Sequence, residues 1–246
     1  MRSLLYINGA DLKFTEEPDG WQKATFDIVA MIFGDNGTIV DEVSRTETIK
    51  AKAETLKEIV AKGFVSTITV PIKKPGAYQM RVVIRDAASS RIGSANQFVE
   101  VPNLKKDRLA LSGILLQRLR QVGSLAGQKQ FQADEQRDFA QRRFSVGDTI
   151  RFDLSIYNAK LRKAANPNLT IQYKVFRHGK PILVVPEKVL SFSEQVSLES
   201  IDSSGTFQLG KRMAPGDYVL QIIVRDSLAP EKQSIATQWT DFEVIN

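Results

Sequence analysis

Catalysis needs titratable or nucleophilic side chains within reach of one another, and this chain has few such sets. His178 is the only histidine among 246 residues, and cysteine is absent. A His- or Cys-based metal cluster, a thiolate nucleophile and a disulfide are thereby excluded, and a single base is left for any Ser-His-Asp arrangement. That base sits in Arg177-His178-Gly179-Lys180, which reads as a hairpin turn. Asp35-Asn36-Gly37 offers two side-chain oxygens where calcium takes about 6–8 ligands, so it reads as a turn too. The neighbouring carboxylates Glu16-Glu17 and Asp41-Glu42 lie in polar stretches, which implies solvation rather than paired acid/base work. No P-loop, Gly-x-Ser-x-Gly or Gly-x-Gly-x-x-Gly occurs. The expectation is a non-catalytic protein with no catalytic, metal-binding or cofactor-binding residue.

Binding leaves two candidates. Residues 117–143 carry +3 of the chain's net charge of +6, and Arg118, Arg120, Arg137, Arg142 and Arg143 of this segment could dock an acidic protein surface. Residues 1–104 are neutral, 105–116 carry +2 and 144–246 carry +1. No stripe of basic residues interleaved with aromatics tracks a phosphate backbone, so nucleic acid is not an expected partner. Trp239 is the second candidate. On a regular strand it falls with Asp241 and Glu243, opposite Thr240, Phe242 and Val244, where it could stack on a sugar or anchor a partner. The preferred expectation is that a strand irregularity turns it inward or that the other domain buries it.

The elements that must position these residues are set by a repeat. Pro75, Gly76, Tyr78, Arg85 and Asp86 recur as Pro215, Gly216, Tyr218, Arg225 and Asp226, each 140 residues later. In each copy a Pro-Gly turn feeds a strand of alternating polarity, since proline fixes φ and glycine reaches backbone states closed to other residues. Tyrosine two residues after the glycine is similar to the tyrosine corner of immunoglobulin-like sandwiches, whose hydroxyl bonds to nearby backbone. The Arg-Asp pairs, recurring at the same strand end, read as structural. The fold class is therefore all-β: two tandem Ig-like antiparallel sandwiches, residues 1–103 and 104–246, with one short helix in the first and the insertion 117–143 in the second.

Along the first copy, strands are expected at Leu4 to Phe14, Trp21 to Phe33, Thr38 to Ile49, Phe64 to Ile72, the Tyr78 strand and Ile92 to Val101. Trp21 to Phe33 is apolar on both parities and should be central, while Thr38 to Ile49 suits an edge. Leu56, Ile59 and Val60 share a helical face before Gly63, which predicts a helix over 51–62. Leu109 to Leu116 is taken to open the second copy as Leu4 opens the first. Thr149 to Tyr157, Leu169 to Arg177, Ile182 to Leu190, Gly205 to Gly210, the Tyr218 strand and Ile235 to Ile245 follow. Residues 117–143 are then the one segment without a counterpart, expected as a surface loop with a possible short helix at Asp134 to Arg143. No apolar run approaches the roughly 20 residues of a membrane span, so the chain is not expected to cross one. The opening Met1-Arg2-Ser3-Leu4 does not read as a signal peptide.

The stretches PIKKPGAYQMRVVIRDAASSRIGSANQFVEVPNLKKDRLALSGILL (71–116), RRFSVGDTIRFDLSIYNAK (142–160) and FRHGK (176–180) together resemble the region behind the von Willebrand factor A domain in bacterial, acidobacterial-type VWFA-related proteins. The resemblance spans most of residues 64–180. It implies an exported, secreted or periplasmic protein of which this chain is a C-terminal part, and a protein partner, for which the N-terminal domain of the same parent chain is the candidate. No Asp-x-Ser-x-Ser is present, so no metal adhesion site carries over. The function implied is an interaction or stalk module. A carbohydrate-binding module is the alternative and would need a row of exposed aromatics on one sheet face.

Overall fold

An apolar/polar alternation becomes a strand when one parity can be buried, and this holds for most strands of the protein. The computed structural model describes residues 1–119, 133–161, 167–191 and 199–246. Two units are found, Met1–Val101 and Pro102–Asn246. Both are all-β sandwiches of mainly antiparallel sheets.

The first unit contains β1 (Arg2–Ile7), β2 (Thr15–Glu16), β3 (Gln22–Gly34), β4 (Ile39–Ala51), α1 (Ala53–Lys62), β5 (Phe64–Thr69), β6 (Gly76–Asp86) and β7 (Ile92–Val101). β4, β3, β6 and β7 lie side by side in one sheet, β2 pairs with the start of β3, and β1 and β5 alone form the other sheet. Phe26, Ile28, Ala30 and Ile32 of β3 are buried in one cluster with Ile68, Val70, Tyr78, Met80 and Val82. As expected, β3 is central, paired on both edges, and β4 is an edge strand. The opening strand is shorter than its apolar pattern suggests. β1 stops at Ile7, where the Asn8 side chain accepts from the Ala10 N–H and starts a 3-10 turn at Gly9–Asp11. The helix forms as expected and buries none of its residues, with Glu58 and Lys62 paired at 3.1 Å.

The second unit contains β8 (Ala110–Leu111), β9 (Leu115–Arg118), α2 (Ala133–Gln141), β10 (Arg143–Ser145), β11 (Thr149–Tyr157), β12 (Leu169–Arg177), β13 (Lys180–Val189), β14 (Ser200–Gln208), β15 (Gly216–Asp226) and β16 (Ile235–Ile245). One sheet runs β10, β16, β15, β12, β13. The other runs β14, β11, with β8 and β9 both pairing with the far edge of β11. β12 and β13 are joined by the expected two-residue turn, His178 and Gly179, both at positive φ (48° and 73°) as a tight hairpin requires. β14 begins earlier than its visible pattern because its middle inward positions, Ser203 and Gly205, are small. A Cβ on Gly205 would lie 2.4 Å from the Phe152 ring, so only glycine lets that ring fill the core.

Six strands correspond one to one between the units: β1 with β11, β3 with β12, β4 with β13, β5 with β14, β6 with β15 and β7 with β16. Their registers agree. Phe26 faces Asp86 as Leu169 faces Asp226, and Gly76 faces Val101 as Gly216 faces Val244. This corrects the sequence alignment of the two copies. Leu109–Arg118 is not the counterpart of β1; it is an additional strand pair, and α2 and β10 are additional too. An apolar alternation opens both copies, but it carries no information on which strand it pairs with, and pairing decides the match.

Candidate functional site

The residues of the repeat take matching positions in the two units. The Tyr78 hydroxyl donates to the Lys74 carbonyl at 2.7 Å, and the Tyr218 hydroxyl donates to the Ala214 carbonyl at 2.7 Å, so each tyrosine ties its strand to the turn before it. Gly76 and Gly216 take φ of 155° and 132°, behind Pro75 and Pro215. Arg85 pairs with Asp27 at 2.8 Å and Arg225 with Glu187 at 3.6 Å, both on the surface. Thr46 and Arg85 together hold the Asp27 carboxyl below its usual range. Asp86 and Asp226 are both buried at the strand ends.

The two aspartates differ in how they are satisfied. Asp226 accepts from the Lys160 N–H at 2.7 Å through Oδ2 and from the Leu228 N–H at 2.9 Å through Oδ1. Asp86 accepts from the backbone N–H and hydroxyl of Ser89 through Oδ2, while its Oδ1 is buried with no hydrogen-bond partner among the described residues. Asp86 lines a groove of about 490 Å³ along the outer side of β1, with Leu5, Ile7, Val82, Ile84 and Ile92 among its apolar walls.

Of the candidate arginines, Arg120 lies outside the described residues. Arg118 donates to the buried Asp138 carboxylate through its guanidinium and its backbone N–H, both at 3.0 Å, and lies 3.8 Å from Asp148. Arg142 reaches Thr240 and Asp241, and Arg143 pairs with Glu243 at 2.7 Å. Arg137 belongs to α2 and is also engaged. The described part of 117–143 is thus not a free basic face. Its helix and β10, which pairs in parallel with Glu243–Ile245, are fastened to β9 and β16 by these charges. Sequence reasoning could count the arginines but could not see that acidic partners on β16, about 100 residues later, neutralise them.

No strand irregularity turns Trp239 inward. β15 and β16 pair without irregularity, so the strand parity holds and Trp239 points outward, 52% exposed, with Thr240, Phe242 and Val244 buried behind it. Its ring lies 5.9 Å from Phe176. Arg177 beside it donates to the Pro215 carbonyl at 2.9 Å and lies 5.3 Å over the Tyr218 ring, which fixes that rim of the sheet. His178 is in the turn. Among the described residues no group of three or more His, Cys, Asp or Glu could hold a metal ion, and no helix is long and apolar enough to cross a membrane.

No protein-family model matches the chain, and no curated protein is significantly similar to it. Among solved structures, the β-glucuronidase of Bacteroides uniformis aligns at 12% identity over 94% of this chain and 25% of its own, with a TM-score of 0.32. A glycosyl hydrolase family 2 member from Bacteroides cellulosilyticus aligns at 10% identity over 98% of this chain and 26% of its own, with a TM-score of 0.33. The chain spans about a quarter of the length of these proteins. At such identities and scores the likenesses carry no argument about activity.

Proposed function

We propose that this chain is a non-catalytic interaction module: two Ig-like sandwiches that bind protein, forming the C-terminal part of an exported bacterial VWFA-related protein. One observation carries the reading. The first unit leaves the groove along β1 uncovered, with Leu5, Ile84 and Ile92 among its apolar walls and Ile92 69% exposed. Patches of this kind mark interaction sites more often than catalytic ones. The repeat residues most able to do chemistry, Asp86, Asp226 and the two tyrosines, serve instead to hold strand ends and turns. The resemblance of residues 71–116 to VWFA-related proteins supplies the expected partner, the A domain of the same parent.

The test is calorimetric titration of the purified chain with the A domain from the reading frame that encodes it, together with a panel of chromogenic glycosides and esters. Saturable binding of about micromolar affinity without turnover is expected. Turnover that follows the protein through repurification, or the absence of an A domain in that frame together with no binding, overturns the reading.

A further inference from the structure

The second unit shows what belongs on the edge that the first leaves open. Along β11, Leu115–Arg118 pairs antiparallel with Ile150–Asp153, and Ala110 and Leu111 pair with Tyr157 and Ile156. Leu109, Leu111, Ile114 and Leu116 of this segment enter the same core cluster as Ile222 and Val224, which are both fully buried. In the first unit the corresponding residues are Val82 and Ile84. Ile84 is only half-buried, and it lines the groove where such a segment would lie.

The backbone agrees. Met1 and Val70 exchange both of their hydrogen bonds. By the alternation of an antiparallel ladder, Ser3, Leu5 and Ile7 then bond toward β5, and the N–H and C=O groups of Arg2, Leu4 and Tyr6 face away from it. No described strand pairs with that edge. β7 likewise lacks the strand that β10 supplies to β16. The opposite side of the sandwich is closed by side chains, since Arg45 of β4 donates to Ser66 and to the Thr67 carbonyl of β5. Unpaired edge groups, an apolar groove beside them and a buried acceptor without a donor, Asp86 Oδ1, coincide at one place.

We propose that this groove receives an extended strand of a protein partner, with apolar side chains placed as in Leu109–Arg118, pairing antiparallel to β1 and donating an N–H to Asp86 Oδ1. The proposal rests on the reading of the chain as an interaction module and specifies how its partner binds. Strand addition to an exposed edge draws affinity from main-chain hydrogen bonds and specificity from the pockets that take alternate side chains. The segment Leu109–Arg118 supplies both to β11 within its own unit.

The experiment uses the full chain and a labelled peptide of the sequence Arg108–Leu119, RLALSGILLQRL, with a scrambled peptide as control. Binding is read by fluorescence anisotropy and located by residue-resolved amide exchange. Saturable binding is expected, with exchange at Arg2, Leu4 and Tyr6 slowed at least about tenfold. Leu4→Pro removes an N–H that faces the groove and leaves the bonds to β5 in place, so it should weaken binding at least about tenfold, whereas Leu4→Ala keeps the N–H and should bind like the parent. Ile84→Asp, a change in the groove wall, should abolish binding, and the spectrum of each variant checks its fold. No saturable binding, equal binding by all variants, or protection at β11 instead of β1 overturns the proposal. Concentration-dependent dimerisation of the chain alone that Leu4→Pro abolishes would make the occupant a second copy, and also overturns it. If the A domain binds the Leu4→Pro chain as well as the parent, strand addition fails while the interaction module stands.

Discussion

The two units share six strands in one register, yet one closes the β1/β11 side of its sandwich and the other leaves it open. In the second unit Leu109, Leu111, Ile114 and Leu116 complete the core beside β11, and the Lys160 N–H satisfies the buried Asp226. In the first, among the described residues, β1 has a single neighbour, Ile84 is half-buried and Asp86 keeps one acceptor unmet. The difference teaches that the repeated motif specifies the frame, turn to strand to buried aspartate, and does not by itself complete a sandwich. The added apolar side chains come from a segment outside the repeat, and the donor to Asp226 comes from the connection after β11.

The largest break in this comparison is expected from Leu116→Asp. Leu116 is fully buried, and an unpaired charge there should cost at least about 4 kcal/mol and collapse the cluster of the second unit. Amide exchange should rise across β11, β14 and β15 and stay unchanged across β3 and β6. Smaller is Asp138→Ala. It removes the buried carboxylate that fastens Arg118 to α2, and because Arg118 is about one-third exposed we expect a loss of about 2 kcal/mol in chemical denaturation. Asp138→Asn, which keeps an acceptor for the Arg118 N–H, should recover part of it.

Tyr218→Phe and Tyr78→Phe probe the shared frame itself. Each removes the hydroxyl by which a buried tyrosine bonds to the turn before it, so each should cost about 1 kcal/mol, with similar values in the two units. Unchanged denaturant midpoints in both would remove the tyrosine corner from the account.

The smallest effects are electrostatic and act at opposite ends of the pH range. In the first, hydrogen bonds from Thr46 and Arg85 lower the Asp27 carboxyl below 3.8, and Lys50 lowers that of Glu17 below 4.5. These groups contribute fully above those values and their contribution fades as pH falls below them. In the second, burial raises the Tyr173 hydroxyl above 10.0, so its contribution is full below pH 10 and is lost as pH rises further. Denaturant midpoints followed against pH should fall at the acid end less in Asp27→Asn than in the parent, and at the alkaline end less in Tyr173→Phe.

The frame was legible because its signals are local. Pro-Gly before Tyr78 and Tyr218, the two-sided apolarity of β3 and the glycine of the His178 turn each dictate backbone or burial within a few residues. What the sequence concealed depends on pairing at a distance. The alternations at Leu4 and Leu109 look alike, but one strand belongs to the frame and the other is an added edge. Between Ile201 and Phe207 the inward positions of β14 are Ser203 and Gly205, too small to show a period, because Phe152 fills the space. The arginines of 117–143 read as a basic face until Asp138, Asp241 and Glu243 are seen beside them. The groove along β1 carries no motif at all.

The central claim, that β1 is an open edge where β11 is a closed one, is tested most directly by residue-resolved amide exchange on the chain alone. The account predicts fast exchange at Arg2, Leu4 and Tyr6 and slow exchange at Arg151 and Asp153, whose groups face β9, with Ser3, Leu5 and Ile7 protected by β5. Protection of Arg2, Leu4 and Tyr6 equal to that of Arg151 and Asp153 would contradict it.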